Sequence, residues 1–120
     1  ATLYKKEFNN LKPYLTLPNY KKSSYNSYHL FVVSINFKKM KKNKDAFFKY
    51  MLKDKIICQL HYKPIYKFKV FKEKISLKDF NNSEYYFNNA VSLPIYYDLK
   101  LKDQNFIIKK VKRFIMSNIK

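Results

Sequence analysis

The chain has 120 residues, a length that suits one domain with a single modest hydrophobic core. A hydrophobic content of 47% and an aromatic content of 19% exclude the disordered class, although the formal net charge is +18. No apolar run approaches the roughly 20 residues that a membrane-spanning helix needs, and the single cysteine excludes an internal disulfide. We therefore expect a cytoplasmic globular protein without a membrane anchor, because proteins without disulfides are typical of reducing compartments.

The positive charge fits a second class of function, a free-standing basic module that binds nucleic acid or another polyanion. Arg113, however, is the only arginine, and the lysines are dispersed along the chain. Proteins that read nucleic acids rely on arginine for bidentate contacts to phosphate and guanine. Residue types with A/T-rich codons are abundant, so biased coding accounts for much of the lysine. We keep polyanion binding as the alternative function, with nucleic acid an unlikely partner.

The first third of the chain predicts a helix end, a loop and a strand. Residues 1–10 place apolar side chains at helical spacing without an N-cap or an initiator Met, which predicts the end of a helix that began earlier. Residues 13–18 predict an extended connector, and residues 19–27 predict a polar loop. Residues 28–37 form a nearly continuous apolar run, which predicts an interior strand covered on both faces.

A helix and a second strand are predicted next. Asn43 is a suitable N-cap for a helix over residues 44–53. This helix has an apolar stripe at Phe47, Phe48, Met51 and Leu52. Residues 56–61 predict the second strand, so the order is β-α-β, with a right-handed crossover if the two strands are parallel. The sequence leaves open whether the two strands are neighbours in the sheet.

The remainder of the chain predicts a short aromatic segment, a helix, a strand and a last helix. The aromatic segment should pack a short helical or irregular stretch onto the sheet edge with Tyr66, Phe68 and Phe71. Residues 84–90 predict a helix that is capped by Asn82 or Ser83. Its inward-facing side chains are predicted to be Tyr86, Phe87 and Ala90. Residues 91–94 predict a short strand, and residues 102–119 the best helix, with a solvated basic face. The apolar stripe of that helix comprises Ile107, Ile108, Val111, Phe114, Ile115 and Ile119. The fold class is therefore α/β or α+β, a small sheet covered by helices.

The end of the second predicted strand carries the most suggestive polar side chains. Pro64 lacks an amide donor and forces the residue before it to be extended, so the strand must stop there. His61 and Tyr62 then lie at a sheet edge, where ligand-facing groups are common. Gln59 shares a strand face with His61 by the two-residue alternation, so both can point at one ligand. A lone histidine at a strand end is also often an ordinary surface or core residue, and that alternative stays open.

Several kinds of chemistry are excluded by the sequence. The chain contains no glycine, so a P-loop and a dinucleotide fingerprint are both excluded. Cys58, His29 and His61 do not have the spacing of a zinc site. Cys58 lies in an apolar run, where a thiol is usually inert core. The eight acidic residues are scattered singly, so no pair of carboxylates suggests acid–base catalysis. We predict neither a catalytic residue nor a metal site.

Three short motifs nevertheless occur in register. They are Tyr-His-Leu-Phe at residues 28–31, Gln-Leu-His-Tyr-Lys-Pro-Ile-Tyr at residues 59–66 and Val-Ser-Leu-Pro-Ile-Tyr at residues 91–96. Together they resemble the C-terminal small domain of the PLP-dependent nucleotide-sugar aminotransferases of the DegT/DnrJ/EryC1/StrS family. The resemblance covers essentially the whole chain and is closest to the pseudaminic-acid pathway member. It implies the small domain of a fold-type I PLP aminotransferase, with residues 1–10 as the end of a linking helix and residues 11–120 as a β-α-β-α-β-α domain.

The resemblance also implies a function. The family member that it points to aminates C4 of a UDP-linked 4-keto-6-deoxy-N-acetylhexosamine for surface-glycan or pseudaminic acid biosynthesis. Its amino donor is glutamate, its cofactor is pyridoxal 5'-phosphate (PLP), and it is a cytoplasmic homodimer. The wall of the sugar site would be formed here by Gln59, Leu60, His61 and Tyr62. The His61 imidazole would reach the sugar as a hydrogen-bond donor, while His29 would anchor the start of its strand.

Two departures from the family pattern affect what this chain can do. The family usually has a glycine before the second motif, whereas this chain has Asp-Lys-Ile-Ile at residues 54–57, which loses a favourable left-handed helix cap. The large domain, which supplies the Schiff-base lysine, the acidic partner of the pyridine nitrogen and the phosphate-binding loop, has no counterpart in these residues. An aminotransferase needs that lysine. We therefore expect the chain to be inactive alone and to complete a site with the missing large domain; a catalytically dead remnant kept as an interaction surface is a further alternative.

Overall fold

The computed structural model describes residues 1–19, 23–71 and 80–120. Its helices are α1 (Thr2–Phe8), α2 (Lys44–Lys53), α3 (Asn81–Asn89) and α4 (Leu101–Ser117). Its strands are β1 (Leu15–Thr16), β2 (Phe31–Ile35), β3 (Gln59–Leu60) and β4 (Ala90–Leu93). Short 3₁₀ turns cover Asn9–Leu11, Phe37–Lys39, Ile65–Lys67 and Lys69–Phe71.

The four strands form one sheet in the order β1-β2-β4-β3, and every neighbouring pair is antiparallel. Strand β4 therefore lies between β2 and β3, which run in the same direction but do not pair. In the register of the sheet, Ser92 of β4 lies between Val32 of β2 and Gln59 of β3. The predicted β-α-β order is present, and its two strands are separated by the last strand of the chain.

The hydrophobic core lies between one face of the sheet and the helices α1, α2 and α4. Alternate residues of β2 are fully buried, as the period of two along a strand requires. Helix α4 has its apolar side chains at helical spacing and buries five of them, namely Ile107, Ile108, Val111, Phe114 and Ile115. Phe47 of α2 packs edge-on against Phe114, with ring centroids 5.1 Å apart. The core therefore joins the sheet to three helices that are distant from one another in sequence.

Two helices follow their sequence signals closely. Helix α2 spans the predicted residues 44–53, and the Asn43 side chain accepts a hydrogen bond from the Ala46 amide at 2.9 Å, as an N-cap should. Helix α4 begins one residue before its prediction and ends two residues early. The helical pattern of residues 1–10 is likewise confirmed by α1 and the 3₁₀ turn that follows it.

In the described part of the chain, no helix is both long enough and apolar enough to cross a bilayer.

Several sequence predictions are wrong in detail. The connector at residues 13–18 contains β1, because its backbone pairs with the end of β2. The strand expected over residues 56–61 is reduced to the two residues that pair with β4. Strand β2 begins at Phe31 rather than at residue 28. The loop prediction for residues 19–27 lies partly outside the described residues.

The second half of the chain also departs from its predicted packing. Helix α3 begins at Asn81 instead of residue 84, and no side chain caps its N-terminus. Of the aromatic residues predicted to pack on the sheet edge, only Tyr66 is buried, whereas Phe68 and Phe71 are exposed. Tyr86 is exposed as well, and so is Leu52 at the end of the α2 stripe. These side chains lie outside the hydrophobic core cluster.

Candidate functional site

The segment that sequence analysis singled out lies at the edge of the sheet. Strand β3 ends at Leu60, and the chain then leaves the sheet four residues before Pro64. Tyr62 has a φ of 49°, in the left-handed region that few residues other than glycine occupy. This turn separates the side chains of Gln59 and Tyr62, which line two different cavities.

The first cavity has a volume of about 590 Å³ and lies where β4 ends and β2 begins. Its floor is apolar and includes Ile56, Leu93 and Ile107. Its polar groups come from four separate segments and include His29, Gln59, Ser92 and Asp103. A cavity of this size with a few convergent polar groups is typical of a small-molecule site.

The second cavity has a volume of about 490 Å³ and lies beside the turn at residues 61–64. Its walls are mainly aromatic and include Tyr62, Tyr66, Phe80, Tyr86 and Phe87. Asn82 and Ser83 add an amide and a hydroxyl from the first turn of α3. Aromatic faces combined with a few polar groups can hold a ring-shaped ligand.

His61 is half-buried and lines neither of these two cavities, although its ring neighbours Tyr62 and Tyr86 line the second. Its imidazole lies 5.2 Å from the ring of Tyr62 and 5.7 Å from the ring of Tyr86, centroid to centroid. The Tyr86 contact is close to perpendicular, at 72°, which is a favoured arrangement of two aromatic rings. The structure therefore brings His61 together with Tyr62 and Tyr86, and it places Leu60 in the strand with a side chain that is 52% exposed.

Two lysines from other elements contact Phe87 of helix α3. The Lys44 Nζ lies 5.2 Å from the centroid of this ring and donates a hydrogen bond to the Phe87 carbonyl. The Lys67 Nζ lies 4.6 Å from the same centroid and forms a salt bridge of 2.8 Å with Glu84. Desolvation by burial lowers the pKa of Lys44 to about 8. These contacts tie α3 both to α2 and to the 3₁₀ turn at Ile65–Lys67.

The remaining candidate residues have ordinary surroundings. Cys58 is buried, and burial raises the pKa of its thiol to about 12, which agrees with an inert core cysteine. His29 does not anchor its strand as predicted, because the strand begins at Phe31 and the His29 side chain is exposed at the first cavity. Among the described residues, no three His, Cys, Asp or Glu side chains are close enough to hold a metal ion.

Sequence analysis missed the part that α3 plays in this site. Tyr86 was predicted to face the core, and Asn82 and Ser83 were predicted to cap the helix. All three line the second cavity instead. A signal was present in the sequence, because three aromatic residues in a row, at positions 85–87, cannot all lie on one buried helix face.

The chain matches known proteins along almost its entire length. Residues 1–112 match the model of the DegT/DnrJ/EryC1/StrS aminotransferase family. A UDP-4-amino-4,6-dideoxy-N-acetyl-beta-L-altrosamine transaminase of Campylobacter jejuni is 31% identical over 123 residues, which cover 94% of this chain. An uncharacterized protein of Methanocaldococcus jannaschii is 29% identical over 120 residues, which cover 98% of this chain. The chain spans 31% of the length of each of these relatives.

The fold is also found among solved structures. Helicobacter pylori PseC, an aminotransferase involved in the biosynthesis of pseudoaminic acid, superimposes with a TM-score of 0.81 at 24% sequence identity. The match covers 97% of this chain and 31% of PseC. Fold and sequence thus agree with the three motifs that suggested the resemblance, and the chain belongs to the DegT/DnrJ/EryC1/StrS aminotransferase family.

Proposed function

We propose that this chain is the C-terminal small domain of a nucleotide-sugar transaminase. The complete enzyme transfers an amino group from glutamate to C4 of a UDP-linked 4-keto-6-deoxy-N-acetylhexosamine, in a route to pseudaminic acid or a related surface glycan. The observation that carries the proposal is the match to the UDP-sugar transaminase of C. jejuni over 94% of this chain. The proposal includes a cytoplasmic homodimer, as sequence analysis expected from the family resemblance.

The role of the chain is to form one wall of the sugar site with residues 59–62. His61 supports this role because it is half-buried and contacts the rings of Tyr62 and Tyr86, which both line the second cavity. An imidazole N–H in this position can donate a hydrogen bond to a sugar hydroxyl or a nucleotide oxygen. Gln59 lies on the first cavity, so a ligand that contacts both residues must reach across the turn that follows β3.

The two cavities described above do not fit PLP as a self-contained cofactor site. PLP needs a lysine with an accessible, unprotonated amine in a cavity. Lys44 has a lowered pKa, but its amine is directed at the Phe87 carbonyl and ring and lines neither cavity described above. Lys55 lines the first cavity, where its neighbours Asp54 and Asp103 are carboxylates rather than groups that hold a phosphate. We therefore assign PLP to the large domain in this proposal, and derive no chemical step from this chain.

The test is a substitution of His61 in the full-length polypeptide that carries this chain. His61→Ala should raise the KM for the nucleotide sugar or lower kcat, by about three- to tenfold for the loss of one hydrogen bond. The absorbance of bound PLP should stay unchanged. Loss of that absorbance in His61→Ala would contradict a role in the sugar wall.

His29 provides the matched comparison, because it is the only other histidine of the chain and it borders the first cavity. If the sugar lies against residues 61 and 62, His29→Ala should have a smaller effect than His61→Ala on the KM for the nucleotide sugar. The reverse order would move the sugar to the first cavity and overturn the role given to His61.

A further inference from the structure

The imidazole of His61 contacts two rings that belong to different parts of the molecule. Tyr62 is the next residue in the same turn, and its side chain is 76% exposed. A contact within one turn moves with that turn, so it cannot fix the imidazole relative to the rest of the fold. Tyr86 comes from α3, 25 positions further along the chain, and its ring meets the imidazole nearly perpendicularly. Of these two contacts, only the one with Tyr86 joins His61 to a separate element.

Helix α3 is a firm support for that contact. Its last residue, Asn89, is followed directly by the first residue of β4, the central strand that pairs on both sides. Near the same end, the amines of Lys44 and Lys67 both contact the ring of Phe87. Tyr86 lies one residue before this anchored position, so its backbone is held by the same contacts.

The orientation of the imidazole plane decides what His61 can bind. Both ring nitrogens of histidine lie in this plane, and a hydrogen bond weakens steeply when the donor points away from the acceptor. A perpendicular neighbour restricts rotation of the imidazole about its side-chain bonds. Tyr86 therefore controls the direction in which the N–H of His61 points.

We propose that Tyr86 is a positioning residue for His61 and so for the nucleotide sugar. This inference rests on the proposed function, in which His61 contacts the sugar. The contact of Tyr86 with the imidazole is made by its ring. The residue therefore governs how well the sugar is oriented, and it leaves the amino donor unaffected.

Kinetics of the full-length enzyme test the proposal. Tyr86→Ala should lower kcat/KM for the nucleotide sugar about three- to tenfold, the size of one well-oriented aromatic pair. The KM for glutamate should not change. Tyr86→Phe keeps the ring and should retain the activity of the wild type. Tyr86→Leu keeps apolar bulk without a ring and should lose activity as Tyr86→Ala does. Tyr85→Ala is the matched control, since Tyr85 is the preceding tyrosine of the same helix and is exposed away from His61.

A double-mutant cycle separates the two proposals. If Tyr86 acts through His61, Tyr86→Ala should add little to the loss already caused by His61→Ala. A full additional loss in that background would overturn the positioning role. The positioning role would also be overturned if His61→Ala alone lowered the activity and Tyr86→Ala alone had wild-type activity. The proposed sugar wall would then still stand. No effect of His61→Ala would instead refute the proposed role of His61 itself.

Nuclear magnetic resonance of the full-length enzyme, with its histidines selectively labelled, gives a readout that does not depend on activity. The ring current of Tyr86 should shift the carbon-bound imidazole protons of His61. Tyr86→Leu should move these signals, Tyr86→Phe should leave them nearly unchanged, and Tyr85→Ala should not move them. Unchanged His61 signals in Tyr86→Leu would contradict the contact on which the proposal depends.

Discussion

The molecule has two regions that are held together in different ways. In the first, which we call the core layer, α1, α2 and α4 bury apolar side chains against the sheet. In the second, which we call the aromatic rim, residues 59–71 and 80–89 contribute no side chain to that core cluster. The rim is instead held by lysine–aromatic contacts, a salt bridge and paired rings such as Tyr66 and Phe80, 4.7 Å apart.

This difference indicates what each region is for. Burial of apolar surface in the core layer supplies the stability of the fold. The rim keeps many large apolar side chains in solvent, among them Leu60, Tyr62, Ile65, Val70 and Tyr86. Exposed apolar patches of this kind are typical of surfaces that contact another molecule or domain. His61, Tyr62 and Tyr86 belong to the rim, so we expect that they can be changed without loss of the fold.

The largest effect on stability is expected when one phenylalanine of the core layer and one of the rim are each replaced by alanine. Phe47 is fully buried and touches the rings of Phe37, Phe48 and Phe114, whereas Phe68 of the rim is 47% exposed. Phe47→Ala should lower the free energy of unfolding by about 3–5 kcal/mol, because the cavity that it leaves adds to the lost burial. Phe68→Ala should lower it by less than about 1 kcal/mol. Urea unfolding of both variants measures the difference, and equal losses would show that the rim shares the core.

A smaller, pH-dependent effect is expected at Lys44, which joins the two regions. Its pKa is lowered from 10.5 to about 8 by desolvation, so between these values the unfolded chain binds more protons than the folded one. Stability contributed by this group therefore rises with pH from about 8 to about 10.5. The amine is partly exposed, and solvent screening reduces the gain to about 1 kcal/mol.

Lys44→Met removes this titration and should abolish that gain. The free energy of unfolding of the wild type, minus that of the variant, should increase by about 1 kcal/mol between pH 7.5 and pH 10. Taking this difference cancels the titration of the other lysines and tyrosines. Lys49→Met, on the exposed side of the same helix, is the control and should show no such increase. A constant difference for Lys44→Met would mean that the amine is not desolvated by α3.

Much of the core layer could be predicted from the sequence, because its signals are local. The Asn43 cap and the helical spacing of apolar residues fix α2 and α4 almost to the residue. The order of the strands could not be predicted, since it depends on β4 inserting between β2 and β3 from more than 30 residues away. No local pattern records such a pairing.

The rim was harder to predict for a related reason. The motif around His61 indicated a sheet edge, and the structure places it there, while its role in sugar binding stays a prediction. The contribution of Tyr86 could not be predicted because it depends on where α3 lies, and α3 is held by its direct continuation into β4 and by the contacts of Lys44 and Lys67. Contacts that join distant segments through single charged side chains leave no periodic signal in a sequence.

The smallest effect is expected at Lys55, where the core layer passes into the rim. This residue follows the C-cap of α2 and has a φ of 59°, and its amide donates to the Leu52 carbonyl at 2.8 Å. The next amide, of Ile56, donates to the Met51 carbonyl at 3.1 Å, which completes the helix-ending pattern that normally contains glycine. Sequence analysis expected this left-handed cap to be lost without glycine, and that prediction is wrong, because Lys55 adopts the conformation and both cap hydrogen bonds form.

Lys55→Gly should therefore stabilise the chain by about 0.5–1 kcal/mol, because glycine adopts this conformation without the strain of a side chain. Lys49→Gly, in the interior of the same helix, should lower stability by a similar amount, since glycine is unfavourable where φ is negative and helical. Urea unfolding measures the change in the free energy of unfolding for both variants. Because each variant replaces a lysine by glycine, opposite signs of this change cannot come from the loss of a lysine as such. A loss of stability in both variants would show that Lys55 is not strained. The chain would then pass from α2 to the rim at Lys55 without strain in the backbone.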